Sequence, residues 1–388
     1  MKAGWWVVPL GEVCTITKKQ GGSRPLPYVG LEDIASGGAG LFLGSLDPQT
    51  DKSTTFEFEP KHVLYGRLRP YLNKVLLPDF VGHCSSEIFP LLPLPQLDRR
   101  FLFHWLTNQQ TVDAINATCT GARMPRANVS ELMTFPIPLP PLDEQKRIVA
   151  VLDEAFEGLS RARANAEANL ADARELFESY LAREFLDPPP DWKKATLGSL
   201  CRQMTVGHVG PMADRYTDTG IPFLRSQNIK PFRINLTDVK FIGPEFMSEL
   251  KKSELRPGDV AIVRTGYPGT CAVIPDEIEL ANCADLVIAR TGPSLDPHFM
   301  ALLLNSRYGK EHVAKVSVGA AQKHFNVGAA KVAVFPIPPI AVQRELVEMA
   351  TLVRDQGEAV EETTLRKEAL IDSLRQSLLQ KAFAGALT

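Results

Sequence analysis

The feature that most constrains this chain is a repeat with a constant spacing of 198 residues. The matching pairs are Asp98 and Asp296, Phe101 and Phe299, Gly121 and Gly319, Asn128 and Asn326, Pro138 and Pro336, and Gln145 and Gln343. Such a period is too long for a solenoid and indicates two whole domains in one chain. At 388 residues the chain is long enough for each copy to bury its own core.

Each copy ends in a proline-rich lead followed by a long helical pattern. In the first copy two prolines, Pro140 and Pro141, form an extended entry, and the helix is predicted from its N-cap Asp143 to about Leu186, with apolar residues at spacings of three and four. Pro188-Pro189-Pro190 stops it, because proline cannot continue a helix. The second helix is predicted from about Val342 to Phe383, with a stripe that includes Met349, Leu370 and Leu374.

The segments before the helices read as short strands punctuated by glycine and proline. Strands are predicted at 28–31, 62–65 and 75–77, and a helix at 101–115. The alternate prolines of 135–141 favour an extended polyproline-like arm over a helix or a central strand.

These patterns predict an α+β fold with two mixed α/β domains, two long antiparallel α-helices and an internal pseudo-two-fold repeat. The expected segments are 1–142 (first module), 143–187 (first helix), 188–340 (second module) and 341–388 (second helix). A self-complementary helix pair buries both apolar stripes at once, so we expect the modules at opposite ends of a helical rod.

Composition excludes several classes of function. With 43 basic and 45 acidic residues, net charge identifies no nucleic-acid partner. Six cysteines without a CxxC pair predict reduced thiols and no metal site. No GxGxxG, P-loop, GxSxG or HExxH motif is present, so we predict no catalytic residue and no cofactor. No apolar run is long enough to span a membrane, and we expect a cytoplasmic protein.

Polar loops carry the candidate binding residues. In the first module they are Arg67, Arg69, Asn73, Lys74, Arg123, Arg126 and Asn128; in the second they are Arg225, Gln227, Asn228, Lys230, Arg264, Thr265, Tyr267, Gln322, Lys323 and His324. Arginine pairs with guanine, Asn or Gln with adenine, and Lys or Thr with phosphate. Capped surface turns have the same composition, so that alternative stays open. Because the copies differ in loop content, we predict that they read two different half-sites.

At the two helix starts the sequence resembles the specificity subunit of type I restriction–modification systems. Three marks carry the resemblance: the proline-rich lead into a glutamine-containing helix start, an entry tryptophan followed by Leu-Gly, and the closing segment 377–385. The residues are Pro140, Pro141, Leu142, Glu144, Gln145, Arg147, Ile148 and Val149, then Pro338, Pro339, Ile340, Gln343, Arg344, Leu346 and Val347, with Trp6, Leu10, Gly11 and Trp192, Leu197, Gly198 at the module entries.

The resemblance implies a non-catalytic reader of double-stranded DNA. Each target-recognition domain would read one half of a bipartite site, and the helices would set the unread spacer. Two copies of a methyltransferase subunit, which bind S-adenosylmethionine and methylate adenine, and restriction subunits would be its partners. Gln145, Arg147, Gln343 and Arg344 are the predicted docking residues for the methyltransferase, together with the acidic face of the first helix.

Two other classes stay open at this point. A protein-binding adaptor built on a coiled coil fits the almost neutral first module. A self-sufficient nuclease or methylase is disfavoured because every cofactor and metal motif is missing.

Overall fold

The chain forms two compact units, the first comprising Met1–Ala166 and Leu365–Thr388 and the second Glu167–Thr364. This computed structural model describes residues 4–21, 24–49, 55–119, 124–186, 188–319 and 323–387. Each unit contains one module together with parts of both long helices. Within the described part of the chain, every helix is too short or too polar to cross a membrane.

The first unit begins with short strands and continues with helices. Its strands are β1 (Trp6–Pro9), β2 (Cys14–Ile16), β3 (Gln20–Gly21), β4 (Leu26–Val29), β5 (Pro48–Gln49), β6 (Thr55–Phe58), β7 (Val63–Gly66), β8 (Val75–Leu76), β9 (Gly82–Ser85), β10 (Ile88–Pro93) and β11 (Pro136–Leu139). Its helices are α1 (Arg99–Thr107), α2 (Gln109–Ala117), α3 (Val129–Leu132) and the start of α4 (Leu142–Leu186), with 3₁₀ turns at Leu10–Glu12 and Pro70–Leu72.

These strands form three sheets with orders β1-β11, β2-β10-β7-β8 and β3-β6-β9-β4-β5. All pairs are antiparallel except β4 with β9. The predicted single helix at 101–115 is two helices, because the Asn108 side chain caps a second start by accepting from the Gln110 N–H.

The second unit repeats this arrangement with added elements. Its strands are β12 (Lys193–Thr196), β13 (Cys201–Val206), β14 (Tyr216–Thr217), β15 (Ile221–Leu224), β16 (Ile229–Lys230), β17 (Arg233–Ile234), β18 (Lys240–Ile242), β19 (Glu254–Leu255), β20 (Val260–Val263), β21 (Cys271–Val273), β22 (Ala281–Cys283), β23 (Leu286–Thr291) and β24 (Val334–Ile337). Its helices are α5 (Leu197–Leu200), α6 (Pro244–Glu249), α7 (Pro297–Asn305), α8 (Arg307–Val316), α9 (Val327–Val332) and the first part of α10 (Ile340–Phe383), with 3₁₀ turns at Ala213–Arg215, Ser226–Asn228 and Lys251–Ser253.

Sheet order shows that the two units share most of one topology. The sheets β12-β24 and β13-β23-β20-β21 correspond to β1-β11 and β2-β10-β7-β8, and the strands β19-β22-β15-β18 correspond to β6-β9-β4-β5. The fifth strands, β3 and β14, lie at opposite edges of this shared sheet, and the ribbon β16-β17 is additional. The single parallel pairing also recurs, as β15 with β22. The repeat predicted from sequence is therefore a repeat of fold.

The proline arm is a strand, which corrects the polyproline prediction. β11 pairs antiparallel with β1, and β24 pairs with β12 in the same way. Successive N–H groups of a strand point to opposite edges, so prolines at every second position remove donors from one edge only. A two-stranded ribbon needs only the other edge.

The sequence-based pairing of the entry tryptophans, Trp6 with Trp192, is one residue out of register. Trp192 stands directly before β12, and Trp5 stands directly before β1. Both are 8% exposed, whereas Trp6 is 71% exposed. Trp5 is thus the equivalent of Trp192, and its spacing of five residues to Leu10 equals that from Trp192 to Leu197.

In the first unit, α4 and the last part of α10 run antiparallel. Arg163 forms an ion pair with Asp372 at 2.5 Å, and the Arg375 guanidinium lies 4.9 Å from the ring centre of Phe156. Further along, the apolar residues Ile148, Leu152, Leu379 and Ala382 are buried in the core formed by α1 and the central sheet.

In the second unit, the end of α4 and the start of α10 are also antiparallel. Arg174 pairs with Glu361 at 2.8 Å, and Leu181 and Phe185 share a core with Leu346 and Ala350.

The predicted stripe on α10 is partly wrong, because Met349, Leu370 and Leu374 are between 44% and 57% exposed.

A buried glutamine joins each long helix to its module. Gln145 accepts from the Asp98 N–H at 2.8 Å and donates to the carbonyls of Gln96 and Pro140, both at 2.9 Å. Asp98 is the N-cap of α1. One amide therefore fixes the start of α4, the loop before α1 and the end of the proline arm at Pro140.

The second glutamine repeats this geometry. Gln343 accepts from the Asp296 N–H at 2.8 Å and donates to the carbonyls of Ser294 and Pro338 at 2.9 Å. Both glutamine side chains are 0% exposed. Both N–H donors and the carbonyl oxygen of each buried amide thus have a partner.

We expect Gln145→Ala to lower the free energy of unfolding by about 3 kcal/mol, because three backbone groups, one buried and two partly buried, lose their partner. Chemical denaturation of the full chain, followed by circular dichroism, measures the effect. The neighbouring exposed Lys146→Ala is the matched control and should stay within about 0.5 kcal/mol of the unmodified chain. Equal stabilities of the two variants would contradict the assigned role.

Candidate nucleic-acid interface

In the first unit the candidate residues lie on two loops that are joined by main-chain hydrogen bonds. The loop after β7 contacts segment 124–128 through Arg69 N–H to Pro125 O at 2.7 Å and Ala127 N–H to Arg67 O at 2.8 Å. Arg69 has φ of 53°, a left-handed conformation that is unusual for a residue with a side chain. The pairing holds the loop in one conformation and leaves the Arg69 side chain exposed.

The second unit joins the equivalent loops in the same way. Phe325 N–H donates to Arg264 O at 3.0 Å, and the Thr265 hydroxyl lies 2.9 Å from His324 Nδ1. Gly266 and Gly269 both have φ of 87°, where glycine is favoured, and Tyr267 lies between them.

The loop after β7 and the loop after β20 share features that the spacing of 198 residues did not reveal. In both units an arginine directly follows the strand (Arg67 after β7, Arg264 after β20), and a tyrosine stands four residues before the next one (Tyr71 before β8, Tyr267 before β21). Tyr71 is 52% exposed and Tyr267 is 82% exposed. Counting back from the following strand would have found Tyr71, which the sequence analysis missed.

A carboxylate holds the arginine in each unit. Glu87, directly before β10, accepts from Arg67 Nε at 2.9 Å and pairs with Arg126 Nη2 at 3.0 Å. Asp285, directly before β23, accepts from Arg264 Nη1. Burial by itself would raise the pKa of Glu87, but hydrogen bonds from Arg126 and Arg67 and their charges lower it overall.

Several predicted contact residues are used inside the fold instead. Asn73 and Asn228 are buried: Asn73 donates to Thr107 O at 3.0 Å, and Asn228 donates to Asn235 O at 2.9 Å. Their predicted base contacts are therefore wrong in this fold.

Three further predicted residues also have internal partners. Lys74 donates from Nζ to Leu31 O at 2.6 Å and to Ile34 O at 2.8 Å, and the Asn128 side chain caps α3. Arg225 donates to Asp238 O at 2.6 Å. In this fold Lys74 and Arg225 hold loops in place, and Asn128 stabilises the start of α3.

Five of the remaining candidates of the second unit line an open cleft of about 1150 Å³. Gln227, Lys230, Thr265, Tyr267 and Lys323 contribute to its wall. Lys310 on α8, which the sequence analysis missed, also lines it, and the described lining residues include no carboxylate. Three lysines without a counter-charge form a surface suited to a polyanion.

Two predicted residues, Arg123 and Gln322, lie outside the described residues. Of the predicted docking residues, Arg147 and Arg344 are exposed. Gln145 and Gln343 have no exposed surface, so their predicted docking role is wrong and they have the structural role described above.

The structure offers no metal cluster or activated thiol among the described residues. No group of three His, Cys, Asp or Glu side chains there could hold a metal ion. The six cysteines are free, and burial raises the pKa of Cys14 and of Cys84 to about 12. Such thiols are poor nucleophiles at neutral pH.

Two modules of one topology, each with a carboxylate-held arginine on a loop beside an exposed tyrosine, define a duplicated binding protein on a helical scaffold. Residues 2–168 match the family model of the type I restriction modification DNA specificity domain. The chain is similar to the type I restriction specificity subunits, as the sequence marks predicted.

Two specificity subunits match most of the chain, and a third matches about a third of it. The EcoBI specificity subunit of Escherichia coli is 26% identical over 75% of this chain and 66% of its own length. The EcoKI specificity subunit of E. coli strain K12 is 22% identical over 79% of this chain and 69% of its own length. The EcoDI specificity subunit of E. coli is 35% identical over 34% of this chain, and the match spans 30% of that protein.

Solved structures confirm the predicted fold class. A chain from a type I restriction–modification system has a TM-score of 0.84 at 24% identity and covers 100% of this chain and 99% of its own. The HsdS subunit of Thermoanaerobacter tengcongensis has a TM-score of 0.66 at 24% identity, with coverage of 100% and 98%.

Proposed function

We propose that this chain is the DNA-specificity subunit of a type I restriction–modification enzyme and reads a bipartite double-stranded target, one half-site with each module. The observation that carries the proposal is the duplicated loop pair, which places an arginine and an exposed tyrosine at equivalent positions of both units. The specificity-domain match over residues 2–168 supports it.

The loop chemistry suits DNA better than a protein partner. Arginine forks recognise base edges in the major groove, lysines of the cleft pair with phosphates, and an exposed tyrosine ring can stack on a base or sugar. A protein-binding adaptor needs no carboxylate-free lysine cleft, and no feature of the described residues specifically favours an adaptor.

In this proposal the chain carries no catalysis of its own. Two copies of a methyltransferase subunit would bind S-adenosylmethionine and methylate adenine, and restriction subunits would complete the enzyme. Arg147 and Arg344, both exposed near the starts of the long helices, remain the candidate docking residues. This division of labour fits a chain without cofactor motifs.

The test is reconstitution with the cognate methyltransferase subunit. The complex is incubated with a randomised duplex library and S-adenosylmethionine, and methylated adenines are mapped by sequencing. We expect methylation confined to one split sequence motif. A complex that forms but methylates adenines without sequence preference would overturn the proposal.

Arg67→Ala and Arg264→Ala should each affect a different half of the motif. If the contact is a bidentate pair with guanine, we expect a loss of about 1–3 kcal/mol in binding and relaxed preference at one position of that half. Competition binding with duplexes altered in one half at a time measures this. Loss of preference in both halves, with a lowered unfolding midpoint, would instead indicate a folding defect.

Lys230→Gln and Lys323→Gln should weaken binding to all duplexes alike. Each removed phosphate contact should reduce the slope of log K against log salt concentration by about one, without changing the motif. Salt-titrated binding of the complex provides the measurement. The exposed Lys252, outside the cleft, gives the control Lys252→Gln, whose slope should equal that of the unmodified chain.

A further inference from the structure

Glu87 and Asp285 are carboxylates that pair with the arginines of the proposed DNA-binding loops. The Glu87 side chain is 21% exposed and holds two arginines, Arg67 and Arg126. The Asp285 side chain is 49% exposed and holds Arg264. A negative charge beside the proposed phosphate-binding loops opposes DNA binding electrostatically. Its presence at the equivalent place of both units calls for a compensating role.

Holding the loops together does not account for the carboxylates. The loop backbone is already fixed by Arg67 N–H to Glu87 O at 2.9 Å and by Ala127 N–H to Arg67 O at 2.8 Å. In the second unit, Phe325 N–H to Arg264 O does the same. A partly exposed ion pair adds little stability to a loop held this way.

The ion pairs do fix the direction of the arginine heads. Arg67 uses Nε on Glu87, and among the described residues no hydrogen bond engages its two Nη groups. These two groups form the fork that matches guanine O6 and N7. Arg126 donates from both Nε and Nη2 to the same carboxylate, so the Glu87 side chain is held from two sides.

Asp285 shows a comparable constraint in its backbone. Its φ is 52°, in the left-handed region that costs energy for residues other than glycine. The bend between Cys283 and Leu286 places its carboxylate on Arg264, whose side chain is only 19% exposed. Two different local geometries thus hold an arginine at the same point of the repeat.

We propose that Glu87 and Asp285 are positioning residues that set specificity: each pre-orients its arginine for one base contact and lowers affinity for DNA that lacks that base. The proposal rests on the proposed DNA-reading function. An arginine held before binding loses less conformational freedom in the correct contact and is less free to move onto a phosphate.

The experiment uses the full chain assembled with its methyltransferase subunit and compares Glu87→Gln, Asp285→Asn and the unmodified chain. Each complex is used to select from a randomised duplex library, and its binding to a duplex without the selected motif is titrated with salt. Glu12→Gln is the matched control, since Glu12 is exposed and forms no ion pair among the described residues.

For Glu87→Gln we expect about a tenfold loss of discrimination at one position of one half-site. We also expect tighter binding to the motif-free duplex, with a salt slope steeper by about one. Asp285→Asn should do the same in the other half, and Glu12→Gln should change neither quantity. A residue that only stabilised the fold would instead weaken both kinds of binding and lower the unfolding midpoint.

The outcomes separate the two proposals. If the unmodified complex selects no motif, the proposed function fails. If it selects a split motif that Glu87→Gln leaves unchanged, or if specific and non-specific binding weaken equally, the positioning role is overturned and the proposed function stands.

Discussion

A single buried amide in each unit determines how module and helix meet. Gln145 and Gln343 each bond to the N-cap of a module helix, to the loop before it and to a carbonyl at the end of the proline arm, that of Pro140 or Pro338. A buried amide left without partners would cost several kcal/mol, so these bonds tightly restrict where the long helix can begin relative to the sheet. The binding loops are in turn held by strands of that sheet and by the segment before the ribbon.

On this fixed frame the two copies share an arginine, a carboxylate and a tyrosine and differ in most other loop residues. Arg126 in the first unit corresponds to His324 in the second by the spacing of 198 residues, and the lysine-lined cleft is described in the second. The shared set would provide a common mode of DNA contact, and the differing residues would distinguish the half-sites. This division explains how one fold can be duplicated within a chain and still serve two sequences.

Sequence alone predicted the repeat, the fold class and the long helices, because proline leads, periodic apolar residues and a constant spacing are local signals. It failed where tertiary contacts decide. The helix start lies at Leu142, so Asp143 is inside the first turn and not the N-cap. Gln145 looked exposed at a helix start, but its burial depends on a loop 47 residues away in sequence. Asn73 and Asn228 have base-reading chemistry, yet their amides satisfy the protein's own carbonyls. Glu87 carries no sequence signal, since its role depends on two arginines from different loops.

The most direct test of the account is hydroxyl-radical footprinting of Tyr71 and Tyr267 in the complex with the methyltransferase subunit. Both rings are exposed and should oxidise readily without DNA, whereas Tyr65, at 3% exposure, is an internal control. A duplex with the full split target should protect both exposed tyrosines, and a duplex with one half-site should protect one of them. Protection of neither ring by the full target, or of both rings equally by either single half, would contradict the claim that each module reads its own half-site.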